Sequence, residues 1–118
     1  MGGRASRTKG HSFERRIAKE IREKLGLSHQ EVMRGWQSRG GGKEEADVII
    51  KPIPCLHLEC KKGPKPNPRA ALAQAIDDCG EGEIPVGIIG DDNKGVFVAM
   101  RWDDWLDCLA EWWVLKDK

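Results

Sequence analysis

Ala46-Asp47-Val48-Ile49-Ile50-Lys51, then Pro52-Ile53-Pro54, then Cys55-Leu56-His57-Leu58-Glu59-Cys60-Lys61-Lys62 is the stretch on which the reading of this chain turns. The β-branched run Val48, Ile49 and Ile50 reads as a strand over residues 46–51. Two prolines that cannot donate to a ladder force a turn at 52–54. Residues 55–62 alternate as the return strand of a hairpin. Side chains at every second strand position share a face. Leu56, Leu58 and Cys60 are therefore expected to face the core, with Glu59 and Lys61 together on the other side. Asp47 would lie across from Glu59. Two carboxylates at short range repel unless a cation neutralises them. Oxygen donors of this kind suit magnesium, with manganese as a substitute. A lysine beside such a pair could stabilise charge on a phosphoryl oxygen. Taken alone, Glu59-x-Lys61 also fits a surface ion pair on a solvated strand face, and it is Asp47 on the paired strand that tilts the reading.

Outward from the hairpin, Phe13, Ile17, Ile21 and Leu25 recur every fourth residue and form the apolar stripe of a helix. Ser12 is the expected N-cap, Glu14 stands in the first turn, and Gly26 is the expected stop. Residues 1–10 read as a flexible basic arm, and residues 11–118 as one domain. Residues 27–35 are ambiguous, with room for a short helical turn, and 36–39 read as a short strand. Past the hairpin, three prolines make 63–68 a loop. Residues 70–79 read as a helix, 84–89 and 96–100 as strands, and 102–115 as a final helix. The order α-β-β-β-α-β-β-α implies an α/β fold, a mixed sheet with helices on its faces.

The 118 residues suffice for one modest core. Residues 1–69 carry sixteen Lys/Arg against eight Asp/Glu, net +8, and residues 70–118 carry four against eleven, net −7. This asymmetry suits a face for a polyanion, although mixed surface charge produces it as well. Cys55, Cys60, Cys79 and Cys108 include no C-x-x-C pair, which argues for free thiols and an intracellular protein. A zinc site built on Cys55, His57 and Cys60 would match no common ligand spacing. No stretch is long and apolar enough to serve as a signal peptide or membrane span.

Asp47 followed by Glu59-Cys60-Lys61 resembles the motif of the PD-(D/E)xK nucleases, whose fold is restriction-endonuclease-like. Gly10-His11-Ser12-Phe13-Glu14-Arg15 ahead of it, and the small-residue and arginine segment from Gly35 to Gly42, resemble archaeal-type Holliday junction resolvases and their phage-borne relatives. The likeness spans residues 10–90. One departure is Ala46, where the motif has proline. The resemblance implies catalytic roles for Glu14, Asp47, Glu59, Lys61 and Gln74, and a magnesium site formed by Glu14, Asp47, Glu59 and the backbone carbonyl of Cys60. It implies a homodimer that acts on branched or duplex DNA in recombination, inside the cell, with a phage as one source of such proteins. Contacts to phosphate are expected from Arg15, Arg34, Ser38, Arg39, Lys43, Lys62, Lys65 and Arg69. A flap or branched-DNA nuclease of the VRR-Nuc type shares this layout, and a non-catalytic nucleic-acid-binding module on the same fold is the alternative from another class. The tryptophans of 102–115 sit among acids that repel phosphate, so core packing or a subunit interface is expected there.

Overall fold

The computed structural model describes the backbone of residues 2–35 and 45–117, with side chains from residue 11 onward. The strand expected at 36–39, the glycine run at 40–42, and Ser38, Arg39 and Lys43 lie outside the described residues. Helix α1 (Gly2–Leu25) leads into β1 (Val32–Arg34), β2 (Val48–Ile50) and β3 (Leu56–Gly63). Then come α2 (Pro68–Asp78), β4 (Ile84–Asp91), β5 (Gly95–Met100) and α3 (Trp102–Leu115). The sheet order is β1-β2-β3-β4-β5. Only the β3/β4 pair is parallel, joined by the α2 crossover, and the other three pairs are antiparallel. This is the mixed-sheet α/β architecture expected for a restriction-endonuclease-like fold.

The hairpin forms where the prolines require it, and its register sets Val48 opposite Leu58. On one face of the sheet α1 delivers Phe13, Ile17 and Ala18 onto Val32, Val48, Ile50, Leu58, Val86 and Ile88. The packing is close enough that a Cβ on Gly90 would come within 2.7 Å of the Phe13 ring, so β4 needs a glycine there. On the other face Ala71 and Ala75 of α2 are buried, and a Cβ on Gly87 would meet Ala71 at 3.3 Å. Asn67 caps α2 by accepting from the N–H groups of Arg69 and Ala70, and Pro68 occupies its first turn.

The structure departs from expectation at Ser12 and at α3, and it adds detail at residues 27–35 and on β3. Helix α1 begins at Gly2, so Ser12 is inside it, and the segment read as an arm is helical and continuous with α1; no proline interrupts the chain upstream of Ser12. Residues 27–35 hold the short turn for which the sequence left room, with Val32 N–H closing it onto Ser28 O, and then add β1. The second face of β3 is not solvated: His57 and Glu59 are 3 % and 8 % exposed. A strand inside a sheet with a crossover helix packed on it is covered on both sides, which removes the polar-out alternation. Lastly, α3 contributes nothing to the core, since none of its residues is buried.

Candidate active site

Asp47 sits just before β2 and is pinned by its backbone and its side chain. Its N–H donates to Leu58 O at 2.8 Å, and its carbonyl accepts from Gly35 N–H at 2.9 Å. The Cys60 N–H donates to its Oδ2 at 2.8 Å. Gly35 permits this crossing, because a Cβ there would fall 1.8 Å from Ala46 O. The main chain on either side of Glu59 thus holds the Asp47 side chain beside that residue.

Burial pushes the Asp47 carboxyl up to about 7. The Cys60 N–H opposes this, while the negative charges of Glu59 and Glu14 and a hydrogen bond shared with Glu59 raise it further. The charges of Glu59, on β3, and Glu14, on α1, are thus both felt at Asp47. Burial together with the same three carboxylates drives the Cys60 thiol up, so it stays a neutral thiol.

The partners of each acid decide what remains for a ligand. Glu14 accepts from Arg34 Nε at 3.0 Å, in an ion pair whose carboxylate is mostly covered. Glu59 Oε1 lies 3.0 Å from His57 Nε2. Among the described residues no three His, Cys, Asp or Glu side chains are arranged to hold a metal ion. What the acids offer is crowded, like-charged oxygen donors, a set that fits a hard divalent cation. Magnesium is held in such sites by one or two carboxylates, with water and substrate phosphate completing its shell. Asp47 and Glu59 meet that requirement.

The other expected site residues are placed as follows. Lys61 is exposed on β3, two positions beyond Glu59. Cys60 enters the site through its N–H. Gln74 is exposed on α2, where its amide donates to Asp78 on the next turn. Arg15, Lys65 and Arg69 are exposed, and Lys62 is paired with Asp92 and lies 6.0 Å over the Phe13 ring. All four cysteines are free thiols. His57 and Cys60 alternate to opposite faces of β3 and Cys55 is exposed, which disposes of the zinc reading. Sequence reasoning missed His57 as part of the site. The signal was its place two residues before Glu59 in a strand destined for the sheet interior.

A mixed sheet sandwiched by helices, with Asp47 held against Glu59-Cys60-Lys61 across a hairpin, defines the PD-(D/E)xK class of nuclease. Within that class, residues 5–112 match the family described as phage putative PDDEXK endonuclease, and the chain belongs to that family. No curated protein and no solved structure matches it. Among the described residues no helix is long and apolar enough to cross a membrane.

Proposed function

We propose that this nuclease hydrolyses phosphodiester bonds in branched DNA, Holliday junctions above all, using magnesium held between Asp47 and Glu59. The observation that carries the reading is the Asp47 carboxyl, fixed by the Cys60 N–H and crowded by Glu59 and Glu14. A fold that brings like charges together in a half-buried place forms an unfavourable arrangement, which a cation relieves. Magnesium would polarise the scissile phosphate and activate water at neutral pH. Lys61, exposed two residues beyond Glu59, would supply a positive charge suited to a phosphoryl oxygen as negative charge develops on it. Arg34 holds Glu14 toward the acids, and the Cys60 carbonyl would add an oxygen donor. Arg15, Lys65 and Arg69 are exposed and free to meet backbone phosphates.

The dimer that paired cuts require has a suitable surface. β5 is a sheet edge with Val96, Phe97 and Val98 exposed, and α3 follows it with Trp102, Trp105, Trp112 and Trp113 exposed at 66, 44, 70 and 63 %. With about 250 Å² per indole, the tryptophans alone present roughly 600 Å². The neighbouring leucines and valines bring this to the ~800 Å² per partner of a standard interface. A second copy of the chain would cover this face in a two-fold arrangement and set two sites on one junction.

The test is a substrate panel of four-way junctions, flaps and plain duplex, with magnesium and with chelator. Paired symmetric nicks on the junction alone support the resolvase reading. Preference for flaps moves the substrate to the VRR-Nuc type, and cleavage that survives chelation removes the metal from the account.

A further inference from the structure

His57 is the most buried ionisable residue near the acids, yet the chemistry above gives it no task. Its Nε2 lies 3.0 Å from Glu59 Oε1. Its Nδ1 lies 3.7 Å from Glu83 Oε1, an ion-pair distance. Glu83 in turn accepts from the N–H of Gly80, just past the end of α2. These contacts form a line of braces: the loop after α2 holds Glu83, Glu83 faces the imidazole, and the imidazole grips one oxygen of Glu59. His57 also lines a cavity of about 400 Å³ that Glu45, Asp78 and Glu83 border and Glu59 does not. The imidazole thus holds Glu59 Oε1 while it borders open space.

We infer that His57 is a positioning residue for Glu59. It fixes one carboxylate oxygen so that the other stays with Asp47, and it thereby sets the divalent-ion affinity of the pair. The inference rests on the two-carboxylate metal reading and adds to it a residue that touches neither ion nor DNA. Groups that hydrogen-bond a ligating side chain fix its orientation, and their loss costs about 10–100-fold in metal affinity.

The experiment measures Mn²⁺ binding to the DNA-free protein by titration calorimetry and by the Mn²⁺ electron-spin resonance signal, with circular dichroism to verify the fold. His57→Leu keeps bulk and removes the grip, and its Mn²⁺ affinity is expected to fall at least about 10-fold. His57→Gln, whose amide reaches toward Glu59, is expected to stay within about 3-fold of wild type. Rescue of that kind separates orientation from mere filling of the core. A folded His57→Leu protein that binds Mn²⁺ like wild type overturns the inference, as does a His57→Gln protein no better than His57→Leu. Should His57→Leu fail to fold, Glu83→Gln, at a half-buried position behind the imidazole, decides the matter: a several-fold weaker Mn²⁺ affinity supports the brace, and an unchanged one overturns it. A wild-type protein that binds no Mn²⁺ removes the metal reading and this inference with it, whereas binding indifferent to residues 57 and 83 removes this inference alone.

Discussion

Replacing Asp47 with asparagine is expected to stabilise the protein at alkaline pH while it destroys the active site. The Asp47 carboxyl titrates near 3.8 when unfolded and is pushed up to about 7 in the fold, chiefly by burial and also by the Glu59 and Glu14 charges. A raised carboxyl pKa contributes stability that is fully present below the unfolded value and is lost as pH climbs through the folded one. Above about pH 7 the folded protein carries an anion in a place that disfavours it. At about 1.4 kcal/mol per pKa unit, a rise from 3.8 to about 7 sets a ceiling of ~4 kcal/mol. The carboxyl is partly open to solvent, and screening reduces this to about 2 kcal/mol. Asparagine matches aspartate in shape, and its Oδ1 can keep the Cys60 N–H bond while carrying no charge. Thermal unfolding of the two proteins in chelator, at about pH 8 and about pH 4, reads the difference. At the higher pH the variant should melt roughly 5–10 °C above wild type, and the gap should close at the lower one. His57, whose pKa is raised chiefly by its bond to Glu59, titrates in both proteins and largely cancels from the difference. Added magnesium should raise the wild-type melting temperature and do little for the variant. An asparagine protein less stable than wild type at pH 8, or a gap independent of pH, would show that burial and the neighbouring acids do not disfavour the Asp47 anion as described.

Glu59→Gln, like Asp47→Asn, is expected to reduce cleavage at least about 1,000-fold while leaving DNA affinity in a gel-shift assay within a few-fold, because charge stabilisation is lost and the phosphate contacts are not. Gly35→Ala should cost about 1–3 kcal/mol in urea denaturation and lower cleavage as well, since its Cβ would sit 1.8 Å from Ala46 O and must displace the segment that carries Asp47. Trp112→Lys with Trp113→Lys should convert a dimer to a monomer in analytical ultracentrifugation with no loss of thermal stability, as neither indole is buried within the chain. Lys61→Ala should lower the cleavage rate while leaving Mn²⁺ affinity within a few-fold, a split that separates a phosphate-facing charge from a metal ligand.

The hairpin was legible because its signals are local. Pro52 and Pro54 exclude a ladder, Val48 to Ile50 favour a strand, and a tight turn leaves one way to pair. Of the apolar stripe on α1, Phe13, Ile17 and Ile21 pack into or against the core, while Leu25 at the helix end is exposed. The start of α2 was misjudged by two residues although Asn67-Pro68 is a good cap and first position, because three prolines nearby read as loop. Burial of Glu59 could not be read from alternation. Period two shows that His57, Glu59 and Lys61 share a face, yet whether that face is wet depends on where β3 falls in the sheet and on α2 lying across it. Both are matters of tertiary topology. Of the two expectations for the tryptophans of α3, core packing is ruled out because none of the helix's residues is buried, which leaves the subunit interface as the proposal.

The burial of Glu59 bears on why the site is built as it is. A solvated Glu59 would be an ordinary surface acid, free to rotate and weakly coupled to Asp47. Set in the middle of the sheet, it has one oxygen taken by His57, and its neighbour Asp47 is tied to the backbone of Leu58, Cys60 and Gly35. Of these bonds the one from the Cys60 N–H counters the charge on Asp47, yet burial, with the Glu59 and Glu14 charges added, outweighs it at a net cost of about 2 kcal/mol. The opposing free energy comes from the apolar contacts of α1 and α2 on the two faces, which fix β3 wherever its charges point. Arrangements that are unfavourable in isolation persist where the surrounding fold over-determines them, and they concentrate at functional sites. On this argument the acid pair is rigid before any ion arrives, so the Asp47–Glu59 separation should change little between chelated and magnesium-bound protein. A crystal structure in each state, with the two carboxylates moving apart by more than about 1 Å on chelation, would contradict it.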